Sequence, residues 1–262
     1  MPLKETDTPQ LIVLVTPVWN DSKRLAVFGR ALASALTAAE LPIRWIIADD
    51  GSDADEARRY NSLREQFAKT YPEIELLRFG TRSRKGGAVY DAWNQVDSAD
   101  YYAFVDADGA VSPETILHLI KQALEGGTVT HALIGIRPLS GHMEVHRSWL
   151  RKCVFCAFRI LVRGLVGARF EDTQCGAKVV SGTAYRAVAG KLKERGFIFD
   201  VELLVALQRA GVEIREEPIA WCEVAGSRLR LSSDSFEMIR GLLRIRRRLR
   251  AGHFSKKNSV EK

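Results

Sequence analysis

Asp106 and Asp108 stand one residue apart, directly after the apolar run Tyr102 to Val105 and directly before Gly109. Neighbouring carboxylates repel unless a cation is shared between them, and a hard divalent ion such as Mg²⁺ or Mn²⁺ bridging a diphosphate meets that need. As an isolated tripeptide, Asp-Ala-Asp is more often a solvated turn, since Asp and Gly favour turns. Its place at the end of a buried strand reverses those odds. Asp49-Asp50-Gly51-Ser52 closes a second apolar run, with Ser52 or Asp53 available to cap the following helix while the other polar groups reach a ligand. Lys85-Gly86-Gly87 offers a cation and unobstructed amides to a phosphate at a helix start, although the spacing of a Walker loop is absent.

The elements that must position these residues alternate along the first half of the chain. Apolar β-prone runs cover Leu11 to Val15, Trp45 to Ala48, Ile74 to Leu77 and Tyr102 to Val105, and helical stretches lie between them around Lys23 to Ala38, Asp55 to Lys69 and Ala88 to Gln95. Short apolar strands without clean alternation are buried on both faces, which predicts an α/β fold with a mostly parallel central sheet and helices on both sides. Ligands in such sheets sit at the carboxyl ends of the strands, where the polar clusters fall.

The second half changes character. Trp149 to Val166 is apolar around most of its circumference, yet Lys152, Arg159 and Arg163 recur on one side, which suits an interfacial helix better than a membrane span. The competing reading is a core helix that snorkels its cations. Beyond it, a strand near Ala177 to Val180, helices from Thr183 and through Val201 to Ala210, and a strand around Ile214 to Ile219 are expected. A last helix, 232–252, carries Met238, Leu242, Ile245 and Leu249 as an apolar stripe between arginines. The net charge is +7, and the stretch Arg228 to Arg250 holds eight Arg against Asp234 and Glu237, so it supplies +6 of it. A patch this local points to a phosphate-rich partner. Composition near the globular average excludes a collagen-like or wholly disordered chain, and four cysteines are too few for a disulfide scaffold. The N-terminal residues show no secretory pattern, so the expected compartment is the cytosol.

Four clusters in order, Thr16-Pro17-Val18-Trp19-Asn20-Asp21, Asp49-Asp50-Gly51-Ser52, Lys85-Gly86-Gly87-Ala88 and Asp106-Ala107-Asp108-Gly109-Ala110, resemble the inverting GT-A glycosyltransferases of family 2. Gly135-Ile136-Arg137, His146-Arg147-Ser148, Asp172-Thr173-Gln174-Cys175-Gly176-Ala177-Lys178, Phe199 to Leu204 and Trp221 to Leu229 look like the branch that makes dolichyl-phosphate β-glucose. The likeness spans roughly Leu11 to Arg248. It implies a GT-A domain over 11–231, with a nucleotide-binding half (11–110) and an acceptor half (111–231), between a leader (1–10), the basic helix and a tail (253–262), both ends flexible.

The resemblance also implies glucose transfer from UDP-glucose to a polyprenyl or dolichyl phosphate. Pro17, Trp19, Asn20, Asp50, Lys85, Gly86, Asp106 and Ala107 would then hold the nucleotide sugar, and Asp106 and Asp108 the Mg²⁺ or Mn²⁺. Arg137, Arg147 and Arg228 would meet the acceptor phosphate, and Asp108, Asp172, Arg137 and Arg147 would carry the catalysis. Asp172 is open to three roles: a base, a sugar-orienting group, or a carboxylate holding its own loop through backbone amides. Glu202 is open to a helix-face role. Trp19, Asp21 and Arg228 stand where this branch often has Tyr, Glu and Lys, whereas Ala110 sets the chain apart from the mannose synthases, which have Gln there.

On this reading the enzyme sits peripherally on the cytoplasmic face of a membrane, its basic tail against anionic lipid, and a membrane-protein partner assisting recruitment is compatible with it. Two other readings compete. One is a family 2 transferase with another nucleotide sugar or a soluble or polysaccharide acceptor. The other is a nucleic-acid binder, which the paucity of aromatics in the Arg-rich helix and the strand-end carboxylates argue against, so no nucleic acid is expected. Cys153-x-x-Cys156 lacks a second pair at zinc spacing and reads as buried thiols, while His142 and His146 read as solvated.

Overall fold

The computed structural model describes residues 10–126, 131–137, 145–146, 149–222, 224 and 233–254. Its first half follows the expected alternation: β1 (Ile12–Val18), α1 (Ser22–Ala39), β2 (Ile43–Asp49), α2 (Ala54–Ala68), β3 (Ile74–Arg78), α3 (Arg84–Trp93) and β4 (Tyr101–Val105). Then come α4 (Pro113–Glu125), β5 (His131–Ile136), β6 (Val145–His146), α5 (Trp149–Val166), β7 (Ala177–Ser181) and α6 (Gly182–Val188). A 3-10 turn at Ala189–Lys191 leads to α7 (Phe199–Ala210), β8 (Glu213–Pro218), β9 (Trp221–Cys222) and α8 (Ser233–Arg250).

Seven strands form one sheet in the order β3-β2-β1-β4-β7-β5-β8, and β6 pairs with β9 in a small parallel ladder. β1 to β4 run parallel, β7 is antiparallel to both β4 and β5, and β5 is parallel to β8. β7 is therefore the one reversed strand of the seven, and the sheet is mostly parallel as expected. The apolar runs are buried on both faces: Val13 and Val15 enter one cluster with α3, α5, α6, α7 and α8, while Ile12 and Leu14 enter the other with α1, α2 and α4. Because β5, β7 and β8 belong to the same sheet as β1 to β4, one continuous sheet joins the two halves.

Beyond the short β6, β9 and the 3-10 turn, two longer elements escaped the sequence reading. β5 supplies a sheet strand although Gly135 interrupts its apolar run, and α4 begins on Ser112, whose hydroxyl accepts from the Thr115 amide with Pro113 at the first helical position. The expected stripe of α8 is turned inward: Leu242 and Ile245 are fully buried, and Met238 and Leu249 pack against the same core. The stripe thus serves the fold instead of lying open to a membrane. Among the described residues, no helix is long and apolar enough to cross a membrane.

Candidate active site

The carboxyl ends of β1, β2 and β4 lie along one edge of the sheet, and the reversed β7 brings its amino end there, so the loop Glu171 to Gly176 meets the residues that follow β4. The junction is tight. The Asp106 amide donates to the Gly176 carbonyl at 3.0 Å, and a Cβ at position 176 would overlap the Asp106 carboxylate. A glycine there is what lets the carboxylate lie against the loop.

Lys85, in the first turn of α3, reaches Asp106 at 2.8 Å (Nζ to Oδ1) and 2.9 Å (Nζ to Oδ2). Burial works against its charge, but Asp106 and, farther off, Asp200 outweigh that and hold the ammonium above its ordinary value. The same ammonium lies 5.3 Å from the Phe104 ring centre and 5.7 Å from that of Phe199. Asp108 accepts from the Ala110 amide at 3.0 Å, and Arg24 comes within 3.9 Å of its other oxygen. Desolvation, and after it the Asp106 charge, pushes Asp108 above the usual carboxylate range.

These two carboxylates fit a hard divalent ion. They supply oxygen donors only, and among the described residues no group of three or more His, Cys, Asp or Glu converges here, so most of the coordination shell is left to a diphosphate and water. The anionic form that burial disfavours at Asp108 is the form a cation restores.

Arg137 and Asp172 form a second station on the same edge. Arg137 Nε lies 2.5 Å and Nη2 2.9 Å from the two Asp172 oxygens, and the Arg137 amide donates to the same carboxylate at 3.2 Å. The Gln174 amide adds a further bond at 3.0 Å. Although burial of Asp172 favours its neutral form, Arg137 overrides this and holds the carboxyl below its ordinary range. The guanidinium, itself held above its ordinary value, lies 5.5 Å from the Phe155 ring centre and 5.3 Å from that of Trp221. The loop that carries Asp172 also holds Gly176, whose carbonyl accepts from the Asp106 amide, so one loop touches both stations. Asp172, Thr173 and Gln174 also border a small cleft walled by Phe155, Phe158, Arg159, Val162 and Phe170.

The other expected donor residues have the following surroundings. Asp50 accepts from the Ser83 amide at 2.6 Å and so fixes the start of α3; burial pushes its carboxyl up in spite of those bonds. Asn20, at φ 48°, is stitched to the β2–α2 loop by its amide on Ser52 (2.8 Å) and its side-chain oxygen on the Asp53 amide (3.0 Å). Pro17 lies in β1 beyond the last pair with β4, at Val15, where its missing N–H costs that ladder nothing. Trp19 carries the Arg82 guanidinium 3.4 Å above its ring, and Ala107 is buried. Asp53, one of the two expected caps, caps α2.

Gly86 stands at a close contact between helices. It is buried, a Cβ there would strike Phe199, and the neighbouring Gly87 amide already donates to the Arg195 carbonyl at 2.9 Å. These glycines let α3 pack closely on α7, and the Gly87 amide is taken up by that packing. Arg147 and Arg228 lie outside the described residues, as do His142 and the side chains of Cys153 and His146. Cys156 is a half-buried free thiol.

A buried layer beneath the site was missed. Lys178, fully buried on β7, lies 2.7 Å from Asp200 and donates to the Cys175 carbonyl at 2.7 Å, just before Gly176. The signal was present in the sequence as a lysine inside the apolar run Ala177 to Val180. Glu202 is no surface residue either: it accepts from the amides of Lys193 (2.7 Å) and Glu194 (2.6 Å) and from Arg248 (2.7 Å).

Comparison with known proteins agrees with this geometry. Residues 13–187 match the family model described as glycosyl transferase family 2. The chain is 32% identical over 257 residues to a dolichyl-phosphate beta-glucosyltransferase of Saccharomyces cerevisiae, covering 92% of this chain and 76% of that one. It is 31% identical over 253 residues to the enzyme of the same name from Dictyostelium discoideum, covering 91% and 75%. Among solved structures, glucosyl-3-phosphoglycerate synthase of Mycobacterium tuberculosis in complex with Mn²⁺, UDP-glucose and phosphoglyceric acid shares the fold, with a TM-score of 0.64 at 14% identity over 98% of this chain and 84% of that one. The sheet with its one reversed strand, the carboxylate pair at the end of β4 and the match along two thirds of the sequence lead to one conclusion: the chain is a GT-A glycosyltransferase and belongs to glycosyl transferase family 2.

Proposed function

We propose that the protein transfers glucose from UDP-glucose to a polyprenyl phosphate, with inversion, giving a β-linked polyprenyl phosphoglucose at the cytoplasmic face of a membrane. The names of the relatives at 31–32% identity support this donor and acceptor. The observation that carries the lipid acceptor is the setting of Asp172. Its carboxylate holds Arg137, and Asp172 also borders a small cleft walled by Phe155, Phe158, Arg159, Val162 and Phe170, so a guanidinium and a largely apolar cleft adjoin.

In the reaction an acceptor phosphate oxygen forms the new bond to the anomeric carbon as the bond to UDP breaks. A phosphate monoester is already anionic at neutral pH, so the site needs a cation to position it more than a base to deprotonate it. Arg137 supplies that cation, with the Phe155 and Trp221 rings nearby. Asp172, kept ionised and doubly bonded to Arg137, orients the guanidinium and does not collect a proton. On the donor side, Lys85 places positive charge beside Asp106. Asp106 and Asp108 would hold Mg²⁺ or Mn²⁺, which when bound acts as a Lewis acid on the leaving diphosphate.

The test is a donor panel of UDP-glucose, UDP-galactose and GDP-mannose with Mn²⁺, offered a short polyprenyl phosphate or 3-phosphoglycerate, with products read by mass spectrometry. Hexosyl polyprenyl phosphate formed from UDP-glucose is the expected product. Transfer to the soluble phosphate alone, or from GDP-mannose in preference, would overturn the assignment.

A further inference from the structure

Large exposed hydrophobic side chains are concentrated in one place. Among the described residues they are Val27, Val154, Ile160, Leu161, Phe236, Ile239 and Leu243, and all but Val27 lie on α5 and α8, which pack against each other. Ile160 is 70% and Phe236 62% exposed. On α5, Val154, Ala157, Leu161 and Gly164 recur at helical spacing with Ile160 beside them, and all are exposed. On α8, Phe236, Ile239 and Leu243 share an exposed side with Arg240, Arg247 and Arg250. This is the side opposite the buried Leu242 and Ile245.

The charge of this surface is one-sided. α5 contains no acidic residue, and in α8 none follows Glu237, which pairs with Arg84. Arg244 and Arg248 are turned to Glu194 and Glu202, leaving Arg240, Arg246, Arg247 and Arg250 as the remaining cations of α8. Apolar side chains framed by arginines that have no acidic partner among the described residues match the acyl boundary and headgroups of an anionic bilayer. A second copy would bring like charges together. The opposite side of α5 contributes Phe155, Phe158, Arg159 and Val162 to the cleft beside Asp172. One helix thus borders both that cleft and the exposed apolar surface.

We infer that the outward faces of α5 and α8 form a single docking surface for an anionic lipid bilayer, seated on Val154, Ile160, Leu161, Phe236, Ile239 and Leu243 and framed by Arg163, Arg240, Arg247 and Arg250. The inference deepens the lipid-acceptor reading: docking by this face sets the acceptor cleft at the membrane.

The test uses the full chain and two surface variants, Phe236→Ser/Ile239→Ser/Leu243→Ser and Ile160→Ser/Leu161→Ser, each checked for unchanged circular dichroism. Co-sedimentation is measured with vesicles of phosphatidylglycerol and phosphatidylcholine and with phosphatidylcholine alone. The parent should pellet with the anionic vesicles in a salt-sensitive way, and each variant should lose about tenfold or more in affinity. Variants that pellet like the parent, or equal binding to phosphatidylcholine alone, would overturn the surface. So would a parent that is dimeric by light scattering when the variants are monomeric. Glucose transfer to acceptor embedded in vesicles should fall with binding, while transfer to acceptor in detergent micelles is kept. If no polyprenyl phosphate is glucosylated in either form, the acceptor assignment fails, and the vesicle measurement still decides the surface.

Discussion

Arg137 and Asp172 grip each other through two hydrogen bonds, 2.5 Å from Nε and 2.9 Å from Nη2, across 35 residues of sequence. With Asp172 1% and Arg137 15% exposed, the pair is largely sealed from water. Asp172→Asn removes the charge that orients the guanidinium and leaves Arg137 largely buried and unpaired. The expected result is a loss of about 3–5 kcal/mol in stability by chemical denaturation. KM for the acceptor should rise as well. The sign with pH follows from the depressed carboxyl: the pair stabilises the fold above the ordinary Asp range and loses that contribution as pH falls through the folded value.

Asp108 behaves in the opposite sense. Its carboxyl is raised by burial and by Asp106, so ionisation works against the fold as pH rises through the carboxylate range. Asp108→Asn should therefore leave the metal-free protein at least as stable as the parent at pH 7, with the advantage vanishing in acid. Transfer should drop by about two orders of magnitude or more. Thermal melts across pH, set beside initial rates, check both halves, and unchanged turnover would remove Asp108 from the site.

Gly176→Ala tests the close approach of β7 to β4. A methyl group there meets the Asp106 carboxylate and pushes it off Lys85. Transfer should fall by about tenfold or more, with the metal concentration needed for half-maximal rate raised and the fold retained by circular dichroism.

Leu242→Ala separates the two faces of α8. Leu242 is fully buried, so its truncation should cost about 2–5 kcal/mol in denaturant unfolding. Removal of the whole helix, which also takes away the buried Ile245 and Phe254, should prevent folding. Deleting α8 is thus no test of membrane attachment; point changes on its outer side are.

The contrast within α8 shows what the sequence could and could not convey. Its helical period and the Met238–Leu249 stripe were legible, but a stripe is equally suited to a bilayer or a protein core. Only the packing of Leu242 and Ile245 decides between them. β1 to β4 were legible because apolar runs ended in polar clusters, and those ends became the rim that carries Asp106 and Asp108. β5 was hidden by Gly135, and strand direction in β7 leaves no mark on residue type. The packing role of Gly86 and Gly87 was not legible, because glycine beside a lysine looks the same whether it faces a phosphate or lies against the Phe199 ring and the Arg195 carbonyl. Asp172 and Arg137 were each recognised as candidates, yet their pairing could not be, since β5 and the loop before β7 meet only in the folded sheet.

The most direct measurement is a crystal of the protein soaked with UDP and Mn²⁺. The diphosphate and the metal should both lie at the carboxyl ends of the strands, with the ion on Asp106 and Asp108 and the phosphates toward Lys85. UDP and manganese bound away from those carboxylates would contradict the account.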